Sequence, residues 1–204
     1  MTNFLYQNDL PNNLIFSSNS IAIDTEAMGL NIGRDRLCLI QISAGDGNCH
    51  LVKFSQNNFQ APNLKKLLTN EKILKIFHYG RFDLAILKYH LQIDIKNIYC
   101  TKIASKLVRT YTDSHGLKTI CEELLGVEIS KKQQSSDWGN KEISDKQIDY
   151  ASSDVLYLHA LKEKLDAMLI RENRMELFKS CVEFLPIRVD LDLAGFSNVD
   201  IFSH

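Results

Sequence analysis

No stretch of this chain approaches the ~20 consecutive apolar residues that cross a bilayer, so the sequence predicts no membrane span. The opening run MTNFLYQNDL lacks a basic segment followed by an apolar block, so it does not read as a secretory signal. Proline is scarce, at three residues, and no low-complexity stretch interrupts the chain, so no interdomain linker is visible. The five cysteines, Cys38, Cys49, Cys100, Cys121 and Cys181, are odd in number and scattered, with no CxxC pair. Reduced thiols in a cytoplasmic protein are expected rather than disulfides or zinc ligands. An excess of either charge is also missing: 24 Lys and Arg face 25 Asp and Glu, for a net −1 with His neutral. Tight binding of long nucleic acid draws on many phosphate contacts. The near-neutral chain argues against a long electrostatic track and leaves room for a short nucleic acid held in one pocket.

What is present is an ordinary globular mix, 45% hydrophobic and 24% charged, over 204 residues, which suits one domain with a sizeable core. NSIAIDT (19–25), RLCLIQIS (36–43) and GNCHLVKF (47–54) read as strands, and Asp46-Gly47 marks a hairpin between the last two. A short helix is predicted after Pro62, then a strand over 73–78, a helix over 80–90 and a strand over 97–101. Helices are predicted over 101–110, 116–126, 144–169 and 172–184. Strands with hairpin connections, then alternating strand and helix, then helices, give an α/β fold on a mixed sheet flanked by helices. The segment 185–204 is too short for a second domain, yet it carries Leu185, Ile187, Leu191, Leu193, Phe196, Ile201 and Phe202. A solvated tail needs few such groups. It is expected to pack on a neighbouring subunit of a homo-oligomer or to cover its own.

Acidic residues carry the chemistry. Asp24 and Glu26 are two apart at the end of a strand, so both point to one face. Asp83 lies in the first turns of a helix that follows an apolar strand, where a carboxylate also suits the helix N-terminus. Tyr150 and Asp154 are four apart and stack on one face of a helix. Each feature alone is weak. Converging at one sheet edge, four carboxylates would concentrate about −4 of charge, which hard divalent cations such as Mg²⁺ or Mn²⁺ complement. Two such ions ~4 Å apart suit in-line phosphoryl displacement. A phenol, with pKa ~10, is a poor base at neutral pH and is suited to holding a water.

The order DTE, HYGRFD, YASSD resembles motifs I, II and III of the DEDD superfamily of 3′–5′ exonucleases, which have an RNase H-like fold. Tyrosine four residues before the last aspartate is similar to the DEDDy branch. The DEDDh branch places histidine five before it, and that position here is Asp149. APNLKKLL, KIFHYGRFD, YCTKIASKLVRTYTDSHGLK, ELLGVEISKKQQSSDWG and KLDAML resemble short ribonuclease D-like proteins, the nanoRNase C family above all, over nearly the whole chain. The resemblance implies that Asp24, Glu26, Asp83 and Asp154 bind two divalent ions and that Tyr150 orients the attacking water. It places Leu30, six residues after Asp24, where related enzymes wedge a leucine between the last two bases; a core or turn leucine is the other reading. It places His78 close to substrate. It also implies a ring-like octamer.

Arg109, His115 and Lys118 lie near a turn, either as holders of a 5′ phosphate or as a solvated basic loop. Trp138, the one tryptophan, either stacks on a base or is structural. Gln134 and Ser135 are candidates for sugar or phosphate contacts. Ribonuclease D carries helical RNA-binding domains after its catalytic domain, and this chain ends about fifty residues after Asp154. The expected activity is therefore hydrolysis of very short RNAs, diribonucleotides above all, from the 3′ end to nucleoside 5′-monophosphates. The alternatives are trimming of longer structured RNA or DNA and a non-catalytic RNA-binding module.

Overall fold

A computed structural model describes residues 2–56, 58–130 and 132–204. Six strands form one mixed sheet in the order β1-β4-β3-β2-β5-β6. They are β1 (Thr2–Gln7), β2 (Ser20–Ala27), β3 (Leu37–Ser43), β4 (Asn48–Lys53), β5 (Leu74–Phe77) and β6 (Ile98–Cys100). β2, β3 and β4 are antiparallel neighbours, whereas β1 runs parallel to β4 and β5 and β6 run parallel to β2. The helices are α1 (Pro62–Leu68), α2 (Gly80–Leu91), α3 (Thr101–Val108), α4 (Leu117–Leu125), α5 (Asp145–Leu156), α6 (Leu158–Arg171) and α7 (Met175–Leu191). The expected α/β class and mixed sheet are borne out.

Alternation along the strands divides the core in two. Ile21, Ile23, Ile40, Ile42 and Val52 face one way and pack under α2 with Leu84 and Leu87. Ala22, Leu39, Cys49 and Leu51 face the other way and pack under α5 and α6 with Ala151, Val155 and Leu158. β3 is buried along its whole length, as a central strand covered on both faces must be. The hairpin predicted at Asp46-Gly47 joins β3 to β4, with Gly45 and Gly47 at φ 79° and 81°. No cysteine is paired: Cys38, Cys49, Cys100 and Cys121 are buried and Cys181 is half-buried. Among the described residues, no helix is long and apolar enough to cross a membrane.

Three expectations are corrected. The sequence reading placed no strand at the N-terminus, yet β1 pairs in register with β4 from Thr2↔Asn48 to Gln7↔Lys53. It is a largely exposed edge strand, so it carries no clean alternation, and pairing rather than pattern sets it. The helix predicted over 144–169 breaks at Tyr157 (φ −97°, ψ −5°), separating α5 from α6. The helix predicted over 172–184 runs on to Leu191, through Pro186. The tail expected from residue 185 therefore begins as helix, and Leu185 and Val189 are buried in the chain's own core. Beyond α7 a wide helical turn spans Asp192–Phe196. Asp192 anchors it, accepting from Arg81 Nε and Nη2 at 2.6 and 2.7 Å and from Arg188 Nη2 at 2.6 Å.

Candidate active site

β2 and β5 pair only as far as Ala22↔Ile76, and past that point the two parallel strands part. Chain ends that diverge at the carboxyl end of parallel strands leave a crevice, the usual place for a site in such sheets. Asp24 and Glu26 occupy β2 just beyond that last pair and project from the face covered by α5. Thr25, between them, points the other way, and its hydroxyl donates to Asp83 at 2.7 Å. Asp83 comes from the first turn of α2, and only 3% of it is exposed. The approach of α2 is tight: a Cβ on Gly80 would sit 2.9 Å from the Phe77 Cβ. Tyr79 turns the chain into the helix at φ 67°.

The third approach is α5. Its start is fixed by a reciprocal capping box: the Ser144 hydroxyl accepts from Gln147 N while the Gln147 side chain accepts from Ser144 N. One turn on, Tyr150 and Asp154 project toward β2. One oxygen each from Asp24, Glu26 and Asp154 lie within 4.8 Å of one another. Burial, with the charges of Asp83, Asp154 and Glu26, pushes Asp24 well above the ordinary carboxylate range. Burial and Asp154 push Glu26 to about 9. Burial raises Asp83 to about 7 against the hydrogen bond from Thr25. The Tyr150 phenol is pushed up by burial and by Asp154, so it keeps its proton at any physiological pH.

Asp24, Glu26, Tyr150 and Asp154 head a cleft of about 760 Å³, with Asp83 buried behind Thr25. His78 lines it and is fixed by a 2.9 Å contact between its Nδ1 and Thr101 Oγ1. Lys118, Gln134 and Ser135 line it too. Leu30 is 84% exposed on its wall and is not a core leucine. It also borders a second cleft of about 730 Å³, shared through Tyr79 and Phe82.

Two predicted residues lie elsewhere. Arg109 is fully buried, its guanidinium donating to both carboxylate oxygens of Glu123, to Ser105 Oγ at 3.1 Å and to the Ser114 carbonyl at 2.7 Å. His115 is buried with its Nδ1 2.9 Å from Ser105 Oγ. The expected solvated loop is thus an internal network, and the Arg109 donors are spent inside the fold. Trp138 lines the cleft but is 2% exposed and packs on Tyr150, ring centroids 6.1 Å apart. It packs behind Tyr150 rather than offering a face to a base.

The sequence reading missed Lys102. It lines the cleft from the first turn of α3, with Nζ 4.1 Å from the centroid of the Tyr79 ring. Only its place after a buried strand could have suggested it. The loop carrying Ser136 and Trp138 is held from behind by Arg36 on the Gly139 carbonyl, Lys53 on the Asn140 carbonyl and Gln147 on Ser136 Oγ.

The donor set suits a divalent metal centre. It consists of carboxylate oxygens alone, which hard cations prefer, and their mutual repulsion is the kind that a cation relieves. The 3′–5′ exonuclease family model matches residues 5–170, a span that contains all five predicted catalytic residues. The solved structure of Brucella melitensis NrnC with bound Mg²⁺ is 51% identical, covers all of both chains and superposes with a TM-score of 0.96. The same protein bound to pGG is 51% identical over 100% of this chain and 99% of that one, with a TM-score of 0.97. Ribonuclease D of Granulibacter bethesdensis is 30% identical over 155 residues, 76% of this chain and 39% of that protein. This chain thus spans about two fifths of the length of the curated relatives it matches. Escherichia coli RNase D, at 23% identity and a TM-score of 0.73, shares the fold. Matched by the 3′–5′ exonuclease family model over residues 5–170 and superposing over its whole length on NrnC, the chain belongs to the 3′–5′ exonuclease family, in the ribonuclease D-like group that includes nanoRNase C.

Proposed function

We propose that this chain is a 3′–5′ exoribonuclease that uses two divalent ions and hydrolyses very short RNAs, diribonucleotides above all, to nucleoside 5′-monophosphates. The observation that carries the reading is the convergence of Asp24, Glu26 and Asp154 within 4.8 Å, with Asp83 linked to them through Thr25, beside a tyrosine that stays protonated. Asp24, Glu26, Asp83 and Asp154 would hold the ions, Mg²⁺ or Mn²⁺, whose contribution when bound is to acidify the attacking water and balance charge on the phosphate being cleaved. The chain's own residues do the positioning. Tyr150, braced by Trp138, holds the attacking water by hydrogen bond and does not take its proton. His78, held by Thr101, stands beside the substrate phosphate. Lys102 and Lys118 line the same cleft and would place positive charge on the remaining phosphate and sugar. Gln134 and Ser135 offer neutral hydrogen bonds to the same groups, and Leu30 separates the two bases.

The short-substrate reading is supported by the relative solved with pGG, by the cleft's modest volume and by a net charge of −1. We also propose a homo-oligomer, with an octamer as the expected size. The support is the row of exposed apolar side chains in and after α7: Ile187, Phe196, Ile201 and the 76% exposed Phe202. The deciding experiment uses 5′-labelled RNAs of two to about twenty nucleotides with Mg²⁺ or Mn²⁺. Turnover highest on the dinucleotide supports the proposal. A rate that climbs with length favours trimming of longer RNA, and no hydrolysis with either ion leaves a binding module. Light scattering at micromolar concentration tests assembly, and a monomer refutes it.

A further inference from the structure

Gln41 stands on β3 directly across from Asp24 in the antiparallel β2–β3 register, with Leu51 of β4 on its other side. Opposite residues in such a pair project to the same face, with Cβ atoms about 4.5–5.5 Å apart. The Gln41 side chain therefore lies beneath α5 on the face that presents Asp24. It is fully buried. Neither Oε1 nor Nε2 has a hydrogen-bond partner among the described residues. An amide buried in that way costs about 1–3 kcal/mol, and a leucine of nearly the same volume would avoid the cost. Leu39 and Ser43, the β3 residues on either side of it along the same face, pair with Glu26 and Ala22. Asp24 is thus the carboxylate that the amide faces across the ladder. Gln41 is not among the residues lining the cleft, so any role it has in the site runs through Asp24.

We propose that Gln41 is a positioning residue for Asp24: its Nε2–H donates to the Asp24 carboxylate from behind when the site holds metal, and so fixes that carboxylate's rotamer. The inference rests on the reading of the carboxylate cluster as a divalent-metal centre. Partners that orient ligating groups from behind set metal affinity by about 10–100-fold. A donor placed there explains why an amide occupies a position that packing alone would fill with an apolar residue.

Gln41→Leu and Gln41→Met keep the volume and remove the amide. Two quantities are read on the purified protein: Mn²⁺ affinity by calorimetric titration without substrate, and thermal unfolding in EDTA. The proposal expects unfolding in EDTA at or above the wild-type temperature, because the unpartnered amide is gone. It expects Mn²⁺ affinity about 10-fold weaker, and turnover largely restored at saturating Mn²⁺. A residue that serves packing alone does not give this opposed pair of changes. Wild-type Mn²⁺ affinity in either folded variant overturns the proposal and leaves the metal centre standing. Wild-type protein that binds no Mn²⁺ overturns the metal-centre reading and this inference with it. Should Gln41→Leu fail to fold, Gln41→Met decides by the same criteria.

Discussion

Removing metal should make the stability of this protein depend on pH in a definite sense. In the metal-free site Glu26 titrates at about 9 against an ordinary value of 4.5, and Asp83 at about 7 against 3.8. Both folded values are raised, so the folded state binds more protons than the unfolded chain between each pair of values. Stability must then fall as pH rises, from the ordinary carboxylate range up to about 7 for Asp83 and about 9 for Glu26. Each full proton of difference costs about 1.4 kcal/mol per pH unit. Between pH 5.5 and 8.5 the sum is a few kcal/mol once partial exposure is discounted, or about 5–10 °C in Tm for a domain of this size. Bound metal keeps the carboxylates ionised and removes the slope. The assay is thermal unfolding at both pH values, in EDTA and in Mn²⁺. The expected result is a metal-induced rise in Tm that is several degrees larger at pH 8.5 than at pH 5.5, with proton release on Mn²⁺ binding at pH 7. Parallel pH profiles with and without metal would refute the reasoning, because burial and the neighbouring charges would then not be raising Glu26 and Asp83 in the metal-free site.

Asp154→Asn should cut turnover by orders of magnitude and leave a folded protein, measured by initial rates alongside circular dichroism. Tyr150→Phe should lose about 100-fold or more in kcat while Mn²⁺ and substrate affinity stay near wild type; a wild-type rate would return this tyrosine to packing against Trp138. Lys102→Met should raise KM for a diribonucleotide more than it lowers kcat, read from steady-state kinetics at low salt. Arg109→Met should destabilise the fold by about 1–2 kcal/mol in urea titration, because the buried guanidinium's hydrogen bonds to Ser105 Oγ and the Ser114 carbonyl are lost.

The candidate site was legible because strand and helix spacing dictates where side chains point: Asp24 and Glu26 two apart on β2, Tyr150 and Asp154 four apart on α5. The α2 entry was legible from the apolar strand ahead of Asp83. What was not legible depends on distant partners. Arg109 and His115 read as 5′-phosphate holders or a solvated loop, because nothing local announces that Ser105 and Glu123 will take up their donors. β1 is set by pairing with a strand more than forty residues away, and its own pattern is mute. The α5–α6 break has no proline or glycine to mark it. Lys102 became visible only when β6 and α3 were placed beside Tyr79. The orphaned amide of Gln41 looked like any polar residue in an apolar strand until the register set it opposite Asp24.

The clamp between Arg81 and Asp192 spans 111 positions of sequence. Its upstream half sits two residues before Asp83 on the same helix, so the turn after α7 braces the element that carries Asp83 to the carboxylate cluster. Arg188 shares the same carboxylate. Such a unit has a consequence for descent. Across relatives, positions 81, 188 and 192 should drift together or not at all, since losing the one acid strands two cations. A lineage that reshapes its C-terminal segment, for a new neighbour or a new assembly, must re-anchor α2 in the same step or accept a loosened Asp83. The C-terminal segment and the helix that carries Asp83 are therefore not free to change independently.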